Sequence, residues 1–171
     1  KNTKQLGWSM AKSIMSTLTG ILVQQGVIDI NQPTGIETWQ KDNRKNITWN
    51  QLLQMNSGLK WEEDYGSISD VTKMLYTEDD SYAFAVDYQL EGETGKDWKY
   101  SSGTSNILSG LIREQLDDDE TYLNFANKEL FNWIGAESMV LETDPSGTIV
   151  GSSYAWATPR DWAKYGLLYL Q

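Results

Sequence analysis

The spacing of apolar residues predicts a mainly helical protein. Between residues 10 and 25, apolar side chains recur three or four positions apart, and the polar residues between them are small. This spacing is typical of one face of an α-helix, and further apolar residues fill the other faces. We therefore expect a helix inside the protein with neighbours on several sides, stopped at its C-terminus by Gly26.

Capping residues predict where the other helices begin. The N-caps are Thr48, Ser69 or Asp70, and Thr158. Pro159 at a first helical position strengthens the last of these, and Gly58 closes the first. Helices are predicted at residues 49–55, 70–76, 104–116, 122–133 and from 159 onward, with a single turn at 82–86. Short extended pieces are predicted at residues 139–141 and 149–150, so residues 1–171 are expected to form one domain of about seven helices.

The composition excludes several kinds of chemistry. The chain contains no cysteine and no histidine, and 24 acidic against 14 basic residues give a net charge of -10. A usual zinc site, a cysteine nucleophile and a Ser-His-Asp triad are therefore impossible within this chain. The acidic balance argues against a nucleic-acid partner. We expect no metal and no cofactor, so hydrolytic chemistry would depend on Ser, Thr, Lys, Tyr, Asp or Glu.

No membrane span is expected. The longest run without a charged residue, residues 13–28, is shorter than the roughly 20 apolar residues that a membrane helix needs. The first residues also lack the apolar segment of a signal peptide. The compartment stays open at this point.

Ser9 and Lys12 are the first candidates for chemistry. They lie three residues apart at the start of the predicted helix, so their side chains would be neighbours. A neutral lysine can accept the proton of a serine hydroxyl, and an apolar environment favours the neutral form. The spacing alone is weak evidence, because Ser57 and Lys60 repeat it. Taken by itself, it favours a helix cap beside a solvated lysine.

A second candidate group precedes the helix predicted at residues 104–116. Tyr100 can transfer a proton, and Ser102 lies two residues later. Similar triplets start at Tyr65 and Tyr122, so an ordinary turn before a helix is the alternative interpretation. Trp98, two positions before Tyr100, is the best candidate among eight tryptophans for a cleft residue.

Four motifs resemble those of serine β-lactamase-like hydrolases, in the same order. They are Trp8-Ser9-Met10-Ala11-Lys12-Ser13, Leu52-Leu53-Gln54-Met55-Asn56-Ser57-Gly58-Leu59, Tyr100-Ser101-Ser102-Gly103 and Ala157-Thr158-Pro159-Arg160-Asp161-Trp162. This superfamily includes class C β-lactamases, penicillin-binding DD-peptidases, esterases and aminohexanoate-dimer hydrolases. The resemblance implies a small-molecule amide or ester substrate, and for the parent protein it makes a periplasmic or secreted location plausible.

The resemblance also implies roles for individual residues. Ser9 would be the acylated nucleophile, Lys12 its base and Tyr100 the second proton-transfer group, with Ser102 and Trp98 on the substrate side. Ser102 stands where many class C β-lactamases have Asn, which favours the esterase or aminohexanoate-hydrolase branch.

The chain departs from the family in its extent. Intact members have an antiparallel sheet and a Lys-Thr-Gly or His-x-Gly-like motif, and neither motif occurs here. We therefore expect the helical subdomain of the β-lactamase/transpeptidase-like α/β fold, with the sheet largely missing, as a fragment of a larger hydrolase. Such a fragment would be catalytically silent, and an uncovered face of its first helix would make it either self-associate or, as a monomer, bind hydrophobic dyes.

Three other interpretations remain open. A non-catalytic module could use the same helical scaffold and an aromatic cleft to bind a peptide or glycan. The acidic run at residues 117–120 could bind a hard cation, although such runs are more often solvated helix ends. A pair of glycosidase carboxylates is also compatible with the 24 acidic residues, but nothing singles one out.

Overall fold

The computed structural model describes residues 2–170, which form seven α-helices and a small three-stranded sheet. The helices are α1 (Ala11–Gln24), α2 (Trp49–Leu53), α3 (Asp70–Tyr76), α4 (Ser81–Val86), α5 (Ser102–Glu114), α6 (Asp119–Ala126) and α7 (Pro159–Leu168). The strands are β1 (Gln5–Leu6), β2 (Val140–Leu141) and β3 (Ala155–Ala157). The prediction of a mainly helical protein is confirmed.

The predicted caps are present in the structure. The Thr48 hydroxyl accepts a hydrogen bond from the Gln51 backbone N–H, which completes a capping box at α2. Ser69 is the N-cap of α3. Thr158 accepts from the backbone of Asp161 at the start of α7, where Pro159 takes the first position. These short-range signals therefore place three helix starts correctly.

Helices α2 and α5 differ from their predicted bounds. Helix α2 ends at Leu53, because Met55 adopts a left-handed conformation with a φ of 57° before Gly58 is reached. Helix α5 begins two residues earlier than predicted, at Ser102, because the Ser101 hydroxyl accepts from the Thr104 backbone N–H at 3.0 Å. Ser102 thus belongs to the first turn of α5.

The helix predicted at residues 122–133 differs most from the structure. Asp118 caps α6 by accepting a hydrogen bond from the Thr121 backbone N–H at 2.7 Å. The acidic run therefore forms the start of this helix, which was predicted to begin only at residue 122. After Ala126 the helix widens into a π-helical turn, Asn127–Phe131. Asp119 pairs with Arg113 at 2.7 Å. Within residues 2–170, no group of three or more acidic side chains is arranged to hold a metal ion.

The sheet joins distant parts of the chain. β3 is its central strand and pairs antiparallel with β1 and β2, with Gln5 opposite Ala157 and Leu141 opposite Ala155. β2 coincides with the extended piece predicted at residues 139–141. The piece predicted at residues 149–150 forms only an isolated bridge, between Thr143 and Ile149.

Helix α5 lies at the centre of the core. It packs against α1, α2, α3, α4 and α6. Gly103 and Gly110 permit this, because a Cβ at either position would lie within 2.6 Å of the rings of Trp61 and Tyr82, respectively. In the described part of the chain, no helix is long and apolar enough to cross a membrane.

Candidate active site

Ser9 lies in a 3-10 turn, Trp8–Met10, that connects β1 to α1. The sequence predicted it at the start of the helix itself, and the structure places it just before that start. Its side chain is exposed. The preceding residue, Trp8, has a φ of 46°, which is strained for a large side chain. Strained backbone of this kind is concentrated at functional sites.

Lys12 lies at the centre of the candidate site. Its Nζ donates to three oxygens, Ser9 Oγ at 3.2 Å, Ser102 Oγ at 3.0 Å and the Ser152 carbonyl at 2.9 Å. An ammonium group has three hydrogens, and all three are used here. A neutral amine at the same position could instead accept the Ser9 hydroxyl proton across the same 3.2 Å.

The second Ser-x-x-Lys pair is arranged differently. Ser57 is buried, and its hydroxyl accepts from the Leu59 backbone at 3.4 Å. Lys60 is exposed, and its Nζ forms no hydrogen bond with Ser57 within the described residues. Only Ser9 and Lys12 therefore combine an exposed hydroxyl with a lysine at hydrogen-bond distance.

Tyr100 contacts Lys12 through its ring. Lys12 Nζ lies 4.9 Å from the ring centroid, which is within range of a cation–π interaction. The Tyr100 hydroxyl has no hydrogen-bond partner among residues 2–170. Trp98 is 68% exposed, with its ring centroid 6.5 Å from that of Tyr100. The two rings form an open aromatic surface beside the lysine.

Ser102 is buried under the site and is held by Glu63. The Ser102 backbone N–H donates to Glu63 Oε2 at 2.8 Å, and its hydroxyl donates to Oε1 at 2.5 Å. Trp61 Nε1 also donates to Oε2, at 2.5 Å. Sequence reasoning missed Glu63, because no local pattern distinguishes it from the other acidic residues.

Tyr65 also belongs to this cluster. Its hydroxyl donates to Glu63 Oε1 at 2.9 Å and lies 3.5 Å from Ser102 Oγ. Burial, reinforced by the Glu63 carboxylate, raises the pKa of Tyr65 to about 12. In the sequence this tyrosine was noted only because the triplet that it begins is similar to the one at Tyr100. The structure brings it to the site through its neighbour Glu63.

Ser152 is a further residue that the sequence did not indicate. Its carbonyl accepts from Lys12, and its backbone N–H donates to Asn106 Oδ1 of α5 at 2.9 Å. The adjacent Gly151 lies so close to Met15 that a Cβ would be 2.5 Å from its side chain. A glycine is therefore needed for this loop to reach the first helix.

The fold and this arrangement define the class of protein. A buried central helix brings Ser102 to a Ser-x-x-Lys pair at the start of another helix, as expected for the helical subdomain of the β-lactamase/transpeptidase-like fold. Residues 1–171 match the family model described as Beta-lactamase, so the chain belongs to this family. The resemblance inferred from the four motifs is confirmed.

Solved structures with the same fold include several kinds of enzyme. A putative 6-aminohexanoate-dimer hydrolase from Bacillus anthracis matches with a TM-score of 0.83 and 18% identity, over 98% of this chain and 47% of that one. The octameric penicillin-binding protein homologue from Pyrococcus abyssi matches with a TM-score of 0.71 and 17% identity, over 98% and 45%. A class C β-lactamase from Rhodobacter sphaeroides matches with a TM-score of 0.67 and 11% identity, over 96% and 50%.

The chain spans about half the length of these structures. At such low identities the likeness establishes the fold and leaves the substrate open. No curated protein sequence matches the chain at a significant level. The family nevertheless places the chain among the serine β-lactamase-like hydrolases.

Proposed function

We propose that residues 1–171 form one helical domain of a longer serine hydrolase that cleaves an amide or ester through an acyl-Ser9 intermediate. The hydrogen bond between Lys12 Nζ and Ser9 Oγ carries this proposal. It joins an exposed hydroxyl, next to a strained backbone, to the one lysine that reaches it among residues 2–170. Family membership supports the same class of reaction.

In the proposed reaction, Ser9 Oγ attacks the substrate carbonyl carbon and neutral Lys12 accepts its proton. The tetrahedral intermediate then expels the amine or alcohol, which takes a proton through Lys12 or Tyr100. Water, deprotonated by the same lysine, attacks the acyl carbon and frees Ser9. In this scheme Trp98 contacts the substrate, and the buried Ser102 lies on the substrate side of the site.

The reaction also needs donors for the developing oxyanion. Removing a single such donor typically costs on the order of a hundredfold or more in rate. The Ser9 backbone N–H can supply one donor. In the resembled family a strand of the large sheet supplies the other, so we assign activity to the full-length protein.

Labelling of the full-length protein with a fluorophosphonate tests the proposal. We expect covalent modification at Ser9, none in Ser9→Ala, and a rate lowered by about a hundredfold or more in Lys12→Ala, the usual scale for losing a general base. Lys60→Ala is the matched control, because it removes a lysine from the other Ser-x-x-Lys pair. Labelling that Lys12→Ala leaves unchanged would refute the base assignment. An unlabelled Ser9 in the wild type would favour the binding-module alternative.

Tyr100→Phe tests the second proton-transfer group in the same assay of turnover. Tyr65 and Tyr122 are unsuitable controls, because Tyr65 contacts Glu63 and Tyr122 accepts from the Ile149 backbone in the core. Tyr76 is 61% exposed and is the better control. Turnover should fall in Tyr100→Phe and be maintained in Tyr76→Phe, and equal turnover in both would remove Tyr100 from the mechanism.

A further inference from the structure

The carboxylate of Glu63 is surrounded by donors. Its Oε2 accepts from Trp61 Nε1 and from the Ser102 backbone N–H, and its Oε1 accepts from the hydroxyls of Ser102 and Tyr65. An ionised carboxylate can only accept hydrogen bonds. All four donors therefore have a defined direction, and the group needs no cation to satisfy it.

This direction fixes the state of Ser102. A serine hydroxyl has one hydrogen and two lone pairs. Ser102 gives its hydrogen to Glu63 Oε1, at 2.5 Å, so only its lone pairs can face Lys12 Nζ, at 3.0 Å. The three residues form a chain in which every hydrogen bond runs from Lys12 through Ser102 to Glu63.

We propose that Glu63 is a positioning residue that sets the direction of this chain and thereby holds the Lys12 amine beside Ser9. The inference rests on the proposed function for its catalytic meaning, but the positioning itself is a property of the hydrogen bonds. Because Ser102 must accept, Lys12 keeps one N–H on Ser102 and one on Ser152, and its remaining hydrogen or lone pair faces Ser9.

Replacing Glu63 by Gln reverses the direction of the hydrogen bond with the Ser102 hydroxyl while keeping the shape of the side chain. The amide oxygen can take the place of Oε2 and continue to accept from Trp61 and the Ser102 backbone. The amide NH₂ then replaces Oε1 and donates to the Ser102 hydroxyl. Ser102 Oγ would then have both lone pairs facing donors, the new amide and Lys12, and its hydrogen would have lost the acceptor Oε1. The hydroxyl can regain an acceptor only by turning, and each such turn weakens its hold on Lys12.

The experiment measures the Lys12 ammonium group directly, by ¹⁵N-edited NMR of the full-length protein at a pH low enough to keep this amine protonated. With all three hydrogens donated to oxygens, these protons should exchange slowly with water. We expect exchange to accelerate by at least about tenfold in Glu63→Gln. Glu62→Gln removes the same charge from an exposed neighbour and should change nothing. Glu63→Asp, which can still only accept, should give an intermediate rate.

A double-mutant cycle tests whether Glu63 acts through Ser102. The effect of Glu63→Gln on Lys12 exchange should largely disappear in a Ser102→Ala background, because the link that transmits it is absent. Additive effects, a wild-type Lys12 signal too fast to observe, or equal exchange in Glu63→Gln and Glu62→Gln would each overturn the proposal. Circular dichroism of each variant verifies folding, and a misfolded Glu63→Gln leaves the decision to Glu63→Asp, whose failure to alter exchange would also overturn it.

The labelling rate of Ser9 then separates the two proposals. A displacement of about 1 Å at a catalytic group can cost on the order of a hundredfold in rate, so Glu63→Gln should slow labelling at least about tenfold relative to Glu62→Gln. Altered Lys12 exchange without any labelling of wild-type Ser9 would support the positioning role and refute the proposed hydrolase. Normal Ser9 labelling with unchanged Lys12 exchange would do the reverse.

Discussion

Helices α1 and α5 both contribute side chains to the candidate site, but the protein encloses them very differently. Every residue of α5 from 102 to 112 is buried, although many of them are serine, threonine, asparagine or glycine. Helix α1 is much richer in apolar residues, yet it buries mainly one side. Met10, just before it, is 48% exposed and Val23 is 38% exposed.

The difference shows that polarity and enclosure are separate properties of a helix. Small side chains on α5 let neighbouring rings approach its backbone, and its polar atoms find partners, such as Asn106 with the Ser152 backbone and Ser109 with the Ile149 carbonyl. The expectation that α1 has neighbours on several sides holds for α5 and, through hydroxyl contacts, for α7. The side of α1 away from α5 is the more open one, because Ser16, Gly20 and Val23 are exposed there.

Helix α7 covers part of this open side. The Thr17 hydroxyl of α1 lies 2.8 Å from the Tyr165 hydroxyl and 2.5 Å from that of Tyr169. Between the two helices remains a groove of about 320 Å³, lined by apolar and aromatic side chains that include Met10 and Trp162. The contact between α1 and α7 thus combines hydroxyl hydrogen bonds with an open groove, whereas residues 102–112 of α5 are all buried.

The largest expected effect comes from adding one methyl group to each helix. In Gly110→Ala on α5, the new Cβ would lie 2.3 Å from the ring of Tyr82, which Glu114 also holds through a hydrogen bond of 2.7 Å. We expect a loss of about 1–3 kcal/mol in the free energy of unfolding. In Gly20→Ala on α1, nothing lies within 4 Å of the new Cβ, and a gain of up to about 1 kcal/mol should follow from helix propensity.

Urea denaturation of both variants measures this contrast. A neutral Gly110→Ala would mean that the packing around α5 can relax. A destabilising Gly20→Ala would mean that another surface covers α1 in solution. Either result would remove the difference between the two helices.

A smaller effect is expected from the attachment of α7, and it depends on pH. The hydrogen bond from Lys164, together with those from Ser138, lowers the pKa of Asp161 from 3.8 to about 2. The folded state therefore favours the ionised carboxylate. Its contribution to stability is complete above the ordinary pKa near 3.8 and is lost as the pH falls through about 2.

Asp161→Asn should accordingly be less stable than wild type at neutral pH, with the difference shrinking between about pH 5 and pH 2. Thermal unfolding across this range measures the effect. Asp117→Asn removes an exposed carboxylate that forms no hydrogen bond within the described residues, and it should give a constant offset. An unchanging difference for Asp161→Asn would show that the carboxylate does not hold α7 through its charge.

The smallest change in stability is expected at two exposed apolar positions, Val23 on the open side of α1 and Met10 in the turn before it. Met10→Lys and Val23→Lys should alter the free energy of unfolding by less than about 0.5 kcal/mol, as is usual for surface positions. Both should weaken the fluorescence of a hydrophobic dye and any self-association seen by sedimentation. Ser16→Lys adds the same charge without removing apolar surface and serves as the control. A loss above about 1 kcal/mol would indicate that this face is covered.

Much of the fold could be predicted from the sequence because helices are specified locally. Apolar spacing and hydroxyl caps within three residues of each helix start were sufficient to predict about seven helices and to place α3 and α7 correctly. The helix boundaries that were predicted wrongly are not specified by these local patterns. Met55 is left-handed without being a glycine, and the π-helical turn Asn127–Phe131 contains no glycine or proline, so no residue at either place marks the irregularity.

The candidate site likewise has one part that the local sequence specifies and another that it does not. Ser9 and Lys12 are adjacent because residues three apart on a helical turn must be neighbours, so the sequence by itself determined that pair. The contacts of Lys12 with Ser102 and Ser152 close loops of 90 and 140 residues, and no local pattern specifies them. Only tertiary structure decided that Glu63 holds Ser102 and that β1 pairs with β3, because each contact joins segments that are far apart in the chain.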